Sequence, residues 1–295
     1  MIIITGANGQ LGRAIAEQLL ERIPAARIGV SVRDIEAARP LADRGVRVRQ
    51  ADFADPTTLP HAFEGASQLL LVSSNARATG GDAIAQHRLA IAAAAAAGAR
   101  RIVYTSHMAA GAASAFPPML DHAATEDMLA QSGLAWTALR NGFYASSGIA
   151  LLGNALDTGR LSAPADGRVA WTTHADLAEA AAIILAQDGG FEGPTPPLTA
   201  SHALDLADLA DLAARLLGHP VARQTLADAD FLALMAARGV PENRAAIALG
   251  LYVASRHGEF GTIDPTLERL LDRPPIAMHE VMATHIAAAK AIQAP

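Results

Sequence analysis

Met1-Ile2-Ile3-Ile4-Thr5-Gly6-Ala7-Asn8-Gly9-Gln10-Leu11-Gly12 opens the chain, and its reading decides the fold. Ile2, Ile3 and Ile4 form a short β-branched run of the kind found in a strand buried on both faces. Glycines follow at positions 6, 9 and 12, and an apolar helical pattern then runs through Leu11, Ile15 and Leu19. Strand, glycine-rich turn and helix in that order suit the pyrophosphate of a dinucleotide. Gly6 permits the tight turn, Gly9 lets the backbone approach the phosphates, and Gly12 lets the helix lie close on the strand. Gly6, Ala7, Asn8, Gly9, Gln10, Leu11 and Gly12 are therefore expected to hold the cofactor, aided by the free N–H groups and positive end of the helix. Glycines also punctuate ordinary turns; the position directly after a strand gives these three their meaning.

Outward from this unit, short apolar runs alternate with helical patterns. Strands are expected at 1–5, 27–32, 45–50, 68–73, 101–105 and 134–139, and helices at 11–22, 35–43, 56–64, 82–98 and 119–132. That alternation predicts an α/β fold, a Rossmann-type doubly wound parallel sheet with helices on both faces. After Asn141 the alternation fails. A helical stretch near 143–156, a Gly/Pro/Asp turn at 159–167, a short strand near 168–172 and a helix at 174–187 are expected. The segment 194–199 is expected back at the sheet edge, and 204–295 reads as mostly helical with a short strand near 221–226. The expected organisation is a dinucleotide-binding domain at 1–145, rejoined by 174–200. Residues 146–173 and 201–295 then form a smaller substrate-capping lobe.

Composition narrows the function classes. Of 295 residues, 51% are hydrophobic and 18% charged, with a net charge of −6, which argues against nucleic acid or an anionic membrane as the main partner. There is no cysteine, so disulfides, thiolate catalysis and Cys–zinc sites are excluded. The histidines show no metal-ligand spacing with a carboxylate. No apolar run is long enough to span a membrane and the N-terminus reads as a folded strand, so a cytoplasmic protein is expected.

The end of the second strand reads the adenosine ribose in such folds. Here it carries Arg33, whose forked guanidinium suits a 2′-phosphate, and NADP (NADPH) is the expected cofactor. Arg13 is either a second positive charge for the same group or a solvated surface arginine. Asp34 would serve NAD if the strand ended one residue later, so NAD stays possible. Asp52 and Phe53 after the third strand are placed to meet adenine; Asp55 is equally well read as a helix cap. Ser73, Ser74 and Asn75 after the fourth strand are placed near the ribose.

A Tyr-x-x-x-Lys pair, in which an ammonium lowers the tyrosine pKa for proton transfer, is absent. The tyrosines are Tyr104, Tyr144 and Tyr252, four residues before Met108, Gly148 and Arg256, and the sole lysine is Lys290. What remains is a set of segments: Thr5 to Gly12, Arg33, Val48-Arg49-Gln50-Ala51-Asp52, Leu69 to Ser74 and Tyr104-Thr105-Ser106. With them come His122-Ala123-Ala124-Thr125-Glu126, Leu139-Arg140-Asn141-Gly142-Phe143-Tyr144 and Arg273-Pro274-Pro275. Together they resemble the NmrA-like atypical short-chain dehydrogenase/reductase family, above all its bacterial NAD(P)H:quinone oxidoreductase branch, over nearly the whole chain. The resemblance implies cofactor contacts at Gly6 to Leu11, Arg33, Ser73 to Asn75, and Asn141, Gly142, Phe143, Tyr144, Ala145 and Ser146. That branch usually carries Trp and Ser-Glu-Asn where this chain has Phe143 and Ala145-Ser146-Ser147, a departure that bears on acceptor size and orientation.

In the related isoflavone-type reductases a lysine lies eleven residues before the glycine preceding the sixth strand; counted back from Gly133, that place is His122. An imidazole there donates a proton or holds a water at neutral pH, unless it is a plain helix residue. His107 is a secondary candidate. Tyr144 and Asn141 are expected to position the nicotinamide or the acceptor oxygen, and Phe116, Met119, Phe143, Tyr144, Trp171 and Phe231 are pocket-wall candidates that are otherwise core. The expected activity is hydride transfer from NADPH to a quinone-like, conjugated small molecule, by a monomer or homodimer. An NADP(H)-sensing regulator and a reductase of dyes or xenobiotics are the rival readings.

Overall fold

The computed structural model describes residues 1–187 and 190–293. In chain order it runs β1 (Ile2–Thr5), α1 (Gln10–Leu20), β2 (Ile28–Val32), α2 (Arg39–Ala42), β3 (Arg47–Gln50) and α3 (Leu59–Phe63). Next come β4 (Gln68–Leu71), α4 (Ala83–Ala96), β5 (Arg101–His107), α5 (Pro118–Ala130), β6 (Ala135–Asn141) and β7 (Phe143–Tyr144). Then follow α6 (Ala145–Leu152), α7 (Ala155–Thr158), β8 (Arg160–Pro164), β9 (Trp171–Thr172), α8 (His174–Gln187) and β10 (Gly193–Pro194). The chain closes with α9 (Leu206–Leu217), β11 (Ala222–Leu226), α10 (Asp228–Ala237), α11 (Glu242–Arg256), α12 (Thr266–Leu271) and α13 (Met278–Gln293).

Two compact units emerge. The first comprises 1–112, 118–141 and 174–198; the second comprises 113–117, 142–173 and 199–295. Positions 188–189 and 294–295 of the ranges expected from sequence lie outside the described residues.

Unit 1 is built on a parallel sheet in the order β10-β6-β5-β4-β1-β2-β3. Because strand side chains alternate, one face collects Ile3, Leu69, Leu71, Ile102 and Tyr104, packed with Phe63, Ile91 and Leu129 from α3, α4 and α5. The chain reverses direction across the sheet between β1 and β4, so their carboxyl ends form the switch point where doubly wound sheets bind ligands. There the Thr5 hydroxyl accepts the Val72 N–H at 2.9 Å, tying the two strand ends together.

Several boundaries differ from the sequence reading, each for a local reason. Helices at 35–43 and 56–64 begin as 3₁₀ turns at 36–38 and 56–58, and only then become short α-helices; prolines 40, 56 and 60 break the ladder. The helix at 82–98 starts one residue late because the Asp82 carboxylate accepts the Ala85 N–H at 2.9 Å as its cap. Within the turn expected at 159–167, Arg160–Pro164 instead form β8, which pairs in parallel with β11 in unit 2. The helix expected at 143–156 is divided by Gly153, whose φ of +53° ends α6. The short strand near 168–172 narrows to β9, paired with β7.

Candidate functional site

The glycine turn is stiff and close. Gly6 has φ +63°, its N–H donates to Ser31 O at 3.0 Å, and its carbonyl accepts the Gly9 N–H at 2.9 Å. Gly9 is the N-cap of α1 and no side chain caps that end, so the first-turn N–H groups remain for a ligand. A Cβ on Gly12 would lie 2.5 Å from Gly6 O, which fixes how close α1 sits on the turn.

At the end of β2, Arg33 is exposed, and its guanidinium makes no hydrogen bond or ion pair among the described residues. The Asp34 carboxylate is engaged locally, accepting the Glu36 and Ala37 N–H groups at 2.9 and 3.2 Å. Arg13 donates to the Ala37 carbonyl and Asn8 to the Asp34 carbonyl, so both brace this corner. Arg33 thus leaves its guanidinium unengaged at the end of β2, whereas Asp34 is a turn cap. The Asp52 carboxylate accepts the Ala54 N–H at 2.9 Å through one oxygen, and Phe53 packs against the core of unit 1. Asp55 caps the turn at 56–58 through the Thr57 N–H.

The loop after β4 is pinned from below. Ser73 N–H donates to Thr105 Oγ1 and Ser74 N–H to His87 Nε2, both at 2.8 Å. The Ser74 hydroxyl is consumed inside the loop, donating to Gln86 and accepting the Ala76 N–H. Arg77 then forms a two-pronged pair with Asp121 of α5. Asn75 is exposed beside them.

On β5, β6 and α5 the structure gathers a polar cluster. Tyr104, fully buried, shares a hydrogen bond of 2.8 Å with His122 Nδ1. His107 lies 6.1 Å from His122 between ring centres and pairs in register with Asn141. Asn141 is buried, and its Oδ1 has no hydrogen-bond partner among the described residues. A buried amide oxygen without a donor is costly unless a ligand N–H satisfies it, which fits the carboxamide of a nicotinamide. With the uncapped α1 and free Arg33, this makes the residues of unit 1 fit a dinucleotide.

Burial drives the charges here. His122 has its pKa lowered to about 4 by desolvation, with His87 beside it pushing the same way. His87 is likewise lowered to about 4, and His107 falls well below the usual imidazole range. The ordinary imidazole pKa assumed for His122 from sequence is thus lowered by burial, and the ring is neutral at pH 7. Buried Ser106 and Glu126 and half-buried Arg140 form a brace between β5, α5 and β6, with Arg140 to Glu126 at 2.7 Å.

The remaining expected residues, Gly142, Phe143, Tyr144, Ala145 and Ser146, belong to unit 2. Burial pushes the Tyr144 phenol up to about 12, so it stays protonated as a donor. Phe143 and Trp171 pack edge to face at 5.6 Å, and Phe143 also meets Phe116 and Phe260, which pack on each other. These three pocket-wall candidates therefore serve the core of unit 2, and Phe231 stacks edge-on against Tyr252. Met119 is buried in unit 1. Sequence reasoning missed Tyr104, His87 and Asp121 as site supports; strand alternation is the one signal that turns Tyr104 inward, and nothing local shows which helix it meets.

A parallel sheet with this glycine turn and a free arginine after β2 defines a nicotinamide-dinucleotide-binding protein. The chain belongs to the NAD(P)H-binding family, which matches residues 6–188. It is 38% identical over 281 residues to Quinone oxidoreductase 2 of Escherichia coli (strain K12), covering 95% of this chain and 96% of that one. The crystal structure of NADPH-dependent quinone oxidoreductase QOR2 from Escherichia coli, complexed with NADPH, superposes with a TM-score of 0.90 at 36% identity. It covers 97% of this chain and 100% of that chain. The NmrA-like family domain-containing oxidoreductase flvB of Aspergillus flavus is 31% identical over 93% of this chain and 91% of its own length. Triphenylmethane reductase of Citrobacter sp., complexed with NADP(H), superposes with a TM-score of 0.85 at 31% identity, covering 97% and 99% of the two chains. Among the described residues no helix is long and apolar enough to cross a membrane.

Proposed function

We propose that this chain is an NADPH-dependent reductase whose acceptor is a quinone or a similar conjugated, electrophilic small molecule. The observation that carries the reading is the pairing of an uncapped glycine turn with Arg33 free beyond β2, in a chain so similar to an NADPH-binding quinone oxidoreductase. Gly6 to Gly12 hold the pyrophosphate through backbone N–H groups, and Arg33 grips the 2′-phosphate. Asp52 and Phe53 border adenine, and the backbone of Ser73 to Asn75 borders the ribose. Asn141 offers its unpartnered Oδ1 to the carboxamide. Bound NADPH supplies a hydride. A quinone needs little acid assistance, so this chain's residues act mainly by orientation, holding donor and acceptor within roughly 3–3.5 Å. That accounts for the missing Tyr-x-x-x-Lys pair. His122, neutral at pH 7, is a donor toward the acceptor oxygen. We read unit 2 as the part of the chain that selects the acceptor.

Oxidation of NADPH, followed by its near-ultraviolet absorbance with a panel of small quinones, tests the reading. Steady turnover is expected. Tight binding of NADPH without turnover on any acceptor would overturn it in favour of a sensor. The likeness to triphenylmethane reductase places cationic dyes in the same panel.

A further inference from the structure

The imidazoles of His87 and His122 flank Tyr104 and that of His107 lies beside His122, and their hydrogen bonds locate their protons. His87 Nε2 accepts the Ser74 N–H, so its proton sits on Nδ1 and is donated to Thr125 Oγ1 at 2.8 Å. Thr125 in turn donates to the Asp121 carbonyl at 2.7 Å. His107 Nδ1 accepts the Ala109 N–H at 3.1 Å. There remains the 2.8 Å contact between Tyr104 Oη and His122 Nδ1. An imidazole lone pair is far more basic than a phenol oxygen, and a phenol O–H is the more acidic donor, so the bond runs from Tyr104 to Nδ1. The one proton of the neutral ring then lies on Nε2. That nitrogen has no hydrogen-bond partner among the described residues and is not sealed from solvent.

We propose that Tyr104 is a positioning residue that holds His122 in its Nε2–H form, making that N–H a neutral hydrogen-bond donor to the carbonyl oxygen of the acceptor. This rests on the reductase reading above. A neutral imidazole polarises a carbonyl without having to be charged first. The groups around it are Tyr104 and His107 of β5, His87 of α4, and Asp121, whose carboxylate is held by Arg77. Burial among them keeps the ring neutral, so the donor persists through the neutral range.

Nitrogen NMR of ¹⁵N-histidine-labelled protein at neutral pH, without cofactor, reads the tautomer directly. His122 should show a pyridine-type Nδ1 and a pyrrole-type Nε2, and Tyr104→Phe should shift it toward a mixture of forms. In turnover, Tyr104→Phe should lower kcat for a quinone roughly tenfold, the effect of losing one oriented hydrogen bond. The KM for NADPH should hold, because His87 and not Tyr104 pins the Ser74 loop. His122→Gln, which keeps an N–H donor, should retain more activity than His122→Ala. A proton on Nδ1 in the unaltered protein, or a Tyr104→Phe spectrum identical to it, overturns the proposal. If Tyr104→Phe fails to fold, the spectrum of the unaltered protein still decides the tautomer. Absence of turnover in a protein with the stated tautomer overturns the reductase reading and, with it, the donor role, while clearing the assignment to Tyr104.

Discussion

Gly12→Ala adds a single methyl group where the structure leaves no room. The new Cβ would stand 2.5 Å from Gly6 O, 2.9 Å from Gly6 C and 3.2 Å from Ala7 Cα. All three are backbone atoms of a turn locked by the Gly6 N–H to Ser31 O and Gly9 N–H to Gly6 O bonds, so no side chain can swing aside. Overpacking of this kind costs ~1–3 kcal/mol. Replacing glycine inside a helix returns at most about 1 kcal/mol of propensity. With three rigid backbone atoms in the way the cost sits at its upper end, so the net loss is about 2 kcal/mol, which at ~2–4 °C per kcal/mol lowers Tm by roughly 4–8 °C for a chain of this size. NADPH affinity should fall with it, because the displaced turn carries the phosphate-facing N–H groups. Gly9→Ala is the control: its Cβ meets Gly6 O at 3.3 Å, and a weaker cap costs no more than about 1 kcal/mol. Thermal unfolding by circular dichroism, with and without NADPH, separates the two. A Gly12→Ala protein that melts at or above the unaltered one and binds NADPH as tightly would refute the view that the missing Cβ sets the distance between α1 and the turn.

Three further outcomes are expected. Arg33→Ala should weaken NADPH binding and leave NADH nearly unchanged, measured by titration; equal losses for both cofactors would remove Arg33 from 2′-phosphate recognition. His87 and His122 bind protons more weakly in the folded than in the unfolded chain, so their stabilisation is complete above pH ~6.5 and is lost as pH falls toward 4. The loss is up to roughly 3 kcal/mol each. Urea unfolding across that range checks it, and stability that stayed flat from pH 7 to 4 would contradict the neutral buried imidazoles. His122→Ala should reduce kcat by roughly ten- to a hundred-fold, more for weak electrophiles than for simple quinones, with NADPH affinity barely changed; unchanged turnover across the acceptors would leave His122 a plain helix residue.

The sequence by itself determined the sheet and its phosphate turn. Both are written in local signals: β-branched runs, glycines at fixed offsets and the 3.6-residue period of α1, each readable within a dozen residues. It also placed Arg33 at a strand end, since that position follows from where β2 stops. It misjudged β8, because a strand that pairs with β11 some sixty residues onward carries little signal of its own in Arg160 to Pro164. The charges of the site were decided by tertiary structure alone. His122 in isolation is an imidazole of ordinary pKa; packed beside Tyr104, His87 and His107 it loses the solvation that would support a positive charge. The use of Asp34 as a turn cap, the consumption of the Ser74 hydroxyl and the unpartnered oxygen of Asn141 belong to the same kind. Each depends on which backbone groups long-range packing brings within hydrogen-bond reach, and desolvation and hydrogen bonding act only on groups already brought together.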